Sequence, residues 1–131
     1  MSAADVVKQA IAAILAADIE GLASVLHPDV EATEPASLPY GGTYQGREAF
    51  LEGLMPALVG PFELDPLNPR YFEGDGSAAV QMDLKFTSRR TGKQLTMPYV
   101  EVYEIHSGLI QRLTVYPQDT ATLATFLKSN A

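Results

Sequence analysis

The sequence predicts an α+β domain in which early helices pack on one face of a curved antiparallel or mixed sheet. Three observations lead there. Apolar residues recur at helical spacing through the opening segment, Val6, Val7, Ala10, Ile11, Ile14 and Leu15. Past Pro61 the period changes to two, as Val80, Met82, Leu84 and Phe86 alternate with Gln81, Asp83 and Lys85. Glycine-bearing turns at EGDGS, RTGK and HSG then divide the second half into hairpins.

Taken in order, Ser2 is placed to cap the first helix, and DIEG (Asp18 to Gly21) breaks it before a second short helix that runs through Leu26. His27-Pro28-Asp29 ends that helix. VEAT, Val30 to Thr33, is a short strand that runs into Glu34-Pro35, where proline forbids an ordinary ladder position. ASLPYGGTYQG is a loop by composition. A third helix, REAFLEGLMPAL, turns Phe50, Leu51, Leu54 and Leu58 to one side, with Pro56 a kink or stop. FELDPLNPRYF reads as a proline-interrupted edge strand, AAVQMDLKFTS as a half-buried one, and QLTMPYVEVYEIH and LIQRLTVY as a closing hairpin. Ala121 to Lys128 forms a last helix.

With 131 residues, the chain is a single domain, residues 1–131, large enough for a core without covalent staples. It has no cysteine, which removes disulfides, thiol nucleophiles and thiolate metal sites. The opening residues carry no apolar run of signal or membrane-span length, so a soluble cytoplasmic protein is expected. A formal charge of −7 opposes binding to nucleic acid or an anionic membrane. The basic cluster Arg89, Arg90 and Lys93 brackets a turn and reads as a solvated hairpin tip. His27 and His106 are not at metal-ligand spacing, so no metal is expected. Ser24, Ser37 and Ser88 lack a nucleophile-elbow context, and GGTYQG lacks the ending of a phosphate loop.

One strand raises a chemical question. MPYVEVYEI, Met97 to Ile105, is almost wholly apolar and aromatic, yet Glu101 sits at its middle between Tyr99 and Tyr103 at a spacing of two. A carboxylate on a covered strand must find a partner or a proton. Two readings stand: Glu101 faces a pocket, or it faces solvent and pairs across the hairpin with Arg112. Asp83 likewise suits either a solvated face or a polar pocket wall.

The order of elements, with YGGTYQGREAF opening the third helix, VEVYEIHSGLIQRLTVY as closing strands and Asp119-Thr120-Ala121 starting the last helix, resembles the NTF2-like superfamily. Within it the chain is similar to SnoaL-like and ketosteroid-isomerase-like proteins. The resemblance implies an NTF2-like (cystatin-like) cone whose helices and concave sheet enclose an apolar pocket, in a homodimer joined through sheet surfaces. It also implies roles. In the isomerases a carboxylate followed by proline, at the end of the first short strand, is the general base, and TEP places Glu34 there, with Glu in place of Asp. An acid on the strand before the last hairpin matches Glu101 in EVYEI, as the acid that donates a hydrogen bond to a developing oxyanion, a pattern described for ketosteroid isomerase itself. On this reading Glu34, in a loop, keeps its water and charge, while burial raises the Glu101 pKa.

The resemblance has departures. The isomerases draw an oxyanion-hole tyrosine from the first helix, and residues 1–17 contain none. Tyr99, Tyr103, Tyr116 and Tyr44 are the substitutes, with Met97 and Asp83 as further ligand-contacting candidates. Asp119 lies near the position of a cyclase acid, but Pro117-Gln118 alters the spacing. The expected activity is proton transfer next to a carbonyl, without a cofactor, on a small apolar or ring-containing molecule. The alternative is a ligand-binding or dimerisation module that keeps the cone without the chemistry.

Overall fold

The computed structural model describes residues 1–131. Helix α1 (Ala3–Leu15) starts in a capping box in which the Asp5 amide donates to Ser2 Oγ and the Ser2 amide donates to the Asp5 carboxylate, both at 3.1 Å. Its next free amide, Ala4 N–H, donates to Glu73 Oε1 at 3.0 Å, which ties the helix start to the far end of the sheet. Its buried stripe is Ala4, Val6, Val7, Ala10 and Ala13, and small residues let the helix lie close on the strands. Ala17, at a φ of 54°, breaks the run, and Asp18 caps the short α2 (Ile19–Ala23) through the Gly21 amide.

Six strands follow: β1 (Leu26–Glu34), β2 (Gly42–Gln45), β3 (Phe62–Gly74), β4 (Ser77–Ser88), β5 (Gln94–His106) and β6 (Leu109–Pro117). They form one sheet in the order β2-β1-β6-β5-β4-β3. All neighbours are antiparallel except β1 and β6, which run parallel. Alternation sets the faces as expected. Ala78, Val80, Met82, Leu84 and Phe86 of β4 point inward, in register with Tyr103, Glu101, Tyr99, Met97 and Leu95 of β5. The β5–β6 turn places Ser107 and Gly108 at φ of 53° and 76°, the paired positive values that a two-residue hairpin needs. Edge strand β3 shifts register between Leu67 and Arg70, with Asn68 at φ 51°, so Pro66 and Pro69 cost the sheet little.

Three elements differ from the sequence reading. β1 begins at Leu26, so His27-Pro28-Asp29 belongs to a strand; its register with β6 slips between Leu26 and Glu31, which accommodates the proline. GTYQ pairs with β1 as β2, although its composition reads as loop. The third helix is a π-helical segment, Ala49–Leu54, running into α3 (Met55–Val59), with Pro56 in the first turn of α3, where its missing N–H does no harm.

The last helix, α4 (Thr120–Asn130), is capped by Asp119, which accepts from the Thr122 amide at 3.0 Å. The basic turn is exposed, as expected of a solvated tip, but its two arginines are engaged. Arg90 donates to the carbonyls of Ala131 and Ser129 at 2.8 Å, binding the end of α4, and Arg89 donates to Val59 O and pairs with Glu63. Phe62 meets Phe86 edge-on and Phe126 at a tilt, and Phe86 meets Tyr99 edge-on, so the core runs from α4 into the sheet's concave face.

Candidate functional site

α1, the π-helical segment and α3 roof the concave face without filling it. The remaining cavity leaves ≈ 60 Å³ in which the centre of a water-sized sphere can move. Ile11, Ile14 and Leu15 of α1, Phe50 and Leu54 of the π-helical segment and Met82 and Leu84 of β4 supply apolar walls. Four polar side chains also line it: Glu34, Glu101, Tyr99 and Tyr103.

The sheet brings these four together. Val30, Ala32 and Glu34 fall on the inner face of β1 by the period of two, and Tyr99, Glu101 and Tyr103 on that of β5. Thr33 is in register with Thr114 of β6, and Val115 of β6 with Glu101 of β5. Glu34 and Glu101 therefore flank Val115, two strand spacings or about 10 Å apart at the backbone, with both carboxyls turned into one cavity.

Their surroundings are unlike. Glu34 is 3% exposed, and its Oε1 has no hydrogen-bond partner. Burial, and after it the charge of Glu101, pushes its pKa up to about 8. Glu101 accepts a hydrogen bond from Tyr103 Oη at 2.8 Å. Burial raises it only to about 6, because that hydrogen bond favours the carboxylate. This corrects the expectation that Glu34 is a solvated loop carboxylate. It is the last residue of a strand whose parity turns it inward, and it is the more strongly perturbed of the two. Burial likewise holds the Tyr99 and Tyr103 hydroxyls protonated well above the usual phenol range.

The other candidates lie elsewhere. Tyr116 is 57% exposed and in register with Val100 on the outer face of the sheet. Asp83 also faces outward, where Asn68 Nδ2 donates to it at 3.3 Å. Met97 shares the inner face but is packed in the core beside Leu84, away from the cavity walls. Tyr44 sits on β2 and donates to the Tyr40 carbonyl at 2.9 Å. Arg112 pairs with Glu104, its register partner, at 3.4 Å, and so leaves Glu101 to Tyr103.

Tyr40 is the residue that sequence reasoning missed. It lies in the tight Pro35–Gly41 loop, 5% exposed, with its hydroxyl unpartnered, and burial together with the charge of Glu34 raises its pKa. Gly41 makes the loop possible: a Cβ there would lie 2.2 Å from the Pro35 carbonyl oxygen. A lone aromatic between proline and glycine was the available signal. No group of three or more His, Asp or Glu side chains converges anywhere on a metal-binding geometry, and no helix is long and apolar enough to cross a membrane.

Comparison with known proteins agrees with this architecture. An NTF2-like protein of Burkholderia xenovorans LB400 superposes with a TM-score of 0.83 at 22% identity, over 93% of this chain and 92% of that one. A provisionally assigned polyketide cyclase of Pseudomonas putida KT2440 gives 0.83 at 18% identity, over 95% and 97%. TerC, co-crystallised with polyporic acid, gives 0.79 at 26% identity, over 95% and 96%. No curated protein matches by sequence. The model of the SnoaL-like domain matches residues 7–113, from the buried face of α1 to the inner face of β6. By that match, and by the cone that carries it, the chain belongs to the SnoaL-like family of NTF2-like proteins.

Proposed function

We propose that the chain is a cofactor-independent acid–base enzyme that moves a proton next to a carbonyl, in an isomerisation or cyclisation step, on a small apolar or ring-containing molecule. The observation that carries this reading is a pair of carboxyls that face one apolar cavity in unlike surroundings, Glu34 unpartnered and Glu101 hydrogen-bonded by Tyr103, which favours the neutral form of the first and the charged form of the second. Glu101 is the base: Tyr103 orients it, and its proton affinity suits abstraction near neutrality. Glu34 is the neutral acid, which donates to the oxygen on which charge develops, with the Tyr99 hydroxyl beside it. These roles are the reverse of those that the isomerase resemblance implies. The ligand of TerC and the cyclase assignment of the Pseudomonas relative support a small-molecule substrate.

The test is solvent-deuterium incorporation into ring ketones and hydroxylated aromatic compounds, followed by proton NMR. Rate against pH should be bell-shaped, rising as Glu101 ionises near 6 and falling as Glu34 ionises near 8. Because the two groups interact, the apparent values belong to the pair. Glu101→Gln and Glu34→Gln should each lower the rate by about 10²–10⁴-fold. No acceleration over buffer for any probe, or equal rates in both variants and the unaltered protein, would overturn the proposal.

One observation favours a second reading, ligand binding without turnover. The first helix gives the cavity only Ile11, Ile14 and Leu15, with no hydroxyl to hold an oxyanion. In that case ligands bind with the same affinity while deuterium exchange stays at the buffer rate.

A further inference from the structure

The cavity holds two carboxyls and no basic side chain. Glu34 supplies two carboxyl oxygens, of which Oε1 is fully buried and unpartnered. Glu101 supplies a second carboxyl, and Oε1 of that group is already taken by the proton of Tyr103. No lysine, arginine or histidine lines the walls. The basic groups near the roof are engaged elsewhere. Lys8 Nζ lies 4.8 Å from the centre of the Tyr71 ring, and Arg47 donates twice to the Leu26 carbonyl. The remaining charge facing this end of the sheet is also negative, Glu73 of β3 against the start of α1. An anionic ligand thus meets two carboxyls and no counter-charge. A metal ion finds too few oxygens among apolar walls. The chemistry that matches is a group with several donors, no acceptor and a positive charge, carried on an apolar body.

We infer that this cavity binds the protonated form of slender apolar primary amines, with the ammonium between Glu34 and Glu101 and the hydrocarbon among Ile11, Ile14 and Leu58. An ammonium has three N–H donors and needs no acceptor in return, so it satisfies Glu34 Oε1 and the free oxygen of Glu101 together. Tyr99, Tyr103 and Phe50 also line the cavity, and aromatic rings in its wall are compatible with a cation. Ile14 and Met55 also line a neighbouring apolar groove with Ala13, Leu22, Leu51 and Val59, so the walls around the hydrocarbon stay apolar on that side. This binding goes beyond the proposed reaction, since it requires the two carboxyls but no turnover.

The titratable groups that line the cavity are Glu34 from β1 and Glu101, Tyr99 and Tyr103 from β5, and the carboxyls also act on Tyr40 from the loop after β1, Tyr44 from β2 and Tyr71 from β3. The tyrosines stay neutral across the working range, so the carboxyls govern the response. The amine displaces the proton that Glu34 carries at neutral pH. Its affinity therefore rises with pH through the Glu34 transition, and it falls when the ammonium itself deprotonates, near 10.4 as in a lysine side chain.

The experiment is calorimetry with hexylamine, 1-hexanol and hexanoate, three chains of equal length that differ in the head group. Hexylamine should bind at least about tenfold more tightly than hexanol at pH 8, with hexanoate weaker than both. In buffers of different ionisation enthalpy the amine should release close to one proton per site at pH 7, and Glu34→Gln should abolish that release. The doubly substituted Glu34→Gln, Glu101→Gln protein, checked for folding by circular dichroism, should bind hexylamine no better than hexanol. If hexanol matches hexylamine in the unaltered protein, or if the double variant keeps the preference, the inference is wrong. Deuterium exchange would survive that outcome, so failure here is separable from failure of the proposed reaction. If the double variant does not fold, the pH dependence and proton release in the unaltered protein still decide: a flat profile from pH 6 to 9 with no proton released refutes the inference.

Discussion

The two ends of the sheet are built by different rules. From Phe62 to Pro117 the chain runs as three consecutive hairpins, each strand pairing with its neighbour in sequence, in unbroken alternation but for the shift at Leu67–Arg70 and another between Glu104 and Ile105. The opposite corner is irregular. There β1 pairs parallel with a strand some 80 positions further along, β2 has four residues, the roof is π-helical, and the Pro35–Gly41 loop closes on itself. Each end contributes one carboxyl to the cavity. The regular end holds Glu101, hydrogen-bonded and moderately perturbed, and the irregular corner holds Glu34, unpartnered and strongly perturbed. The regular strand gives its half-buried acid a partner, whereas the corner keeps a fully buried one without.

That contrast can be broken most forcefully in the meander. Phe86 is fully buried between Phe62 and Tyr99, and Phe86→Ala should cost about 3–5 kcal/mol in denaturant unfolding. A loss below about 1 kcal/mol would mean that the meander does not carry the core. The corner is probed by pH. Because the folded-state pKa of Glu34 is raised, from 4.5 to about 8, the folded protein holds that proton more tightly than the unfolded chain does. Its contribution is present in full below about 4.5 and is lost as pH rises toward 8, a decline on the order of a few kcal/mol. Glu34→Gln should flatten that decline, and Glu101 adds a smaller one between 4.5 and about 6. Thermal unfolding at pH 5, 6.5 and 8 measures both; an unchanged slope in Glu34→Gln would show that this carboxyl is solvated. The smallest effect belongs to neither end. Asp119→Ala removes the cap of α4 and should cost about 1 kcal/mol, with no change in the pH dependence.

The meander was legible because alternation and turn chemistry are local signals. Val80 to Phe86, the Ser107-Gly108 turn and the Asp119 cap all fall where the sequence places them. The corner was not, because its pairing is set at a distance. GTYQ resembles a loop until β1 lies beside it, and His27-Pro28 resembles a helix end until the β1–β6 register slips around it. A run of six helical residues does not reveal a π-turn. The position of Glu101 among tyrosines was readable from the period of two. The burial of Glu34 was readable in principle, since Val30, Ala32 and Glu34 share one parity, but the following proline suggested an open loop. Tyr40 carried no periodic signal at all.

The parallel pairing of β1 with β6 also sets the order in which the molecule can be made. During synthesis β1 emerges early, with only the four residues of β2 available to it, and its other edge stays bare until Leu109–Pro117 has been added. Contacts of such long sequence separation form slowly, because the intervening chain must first be gathered in. Glu34 is therefore among the last side chains to leave water. A nascent chain that has completed only the β3–β4 and β4–β5 hairpins has Glu101 on its sheet but no strand to which β1 can attach, and β6 is what brings Glu34 and Glu101 to one cavity.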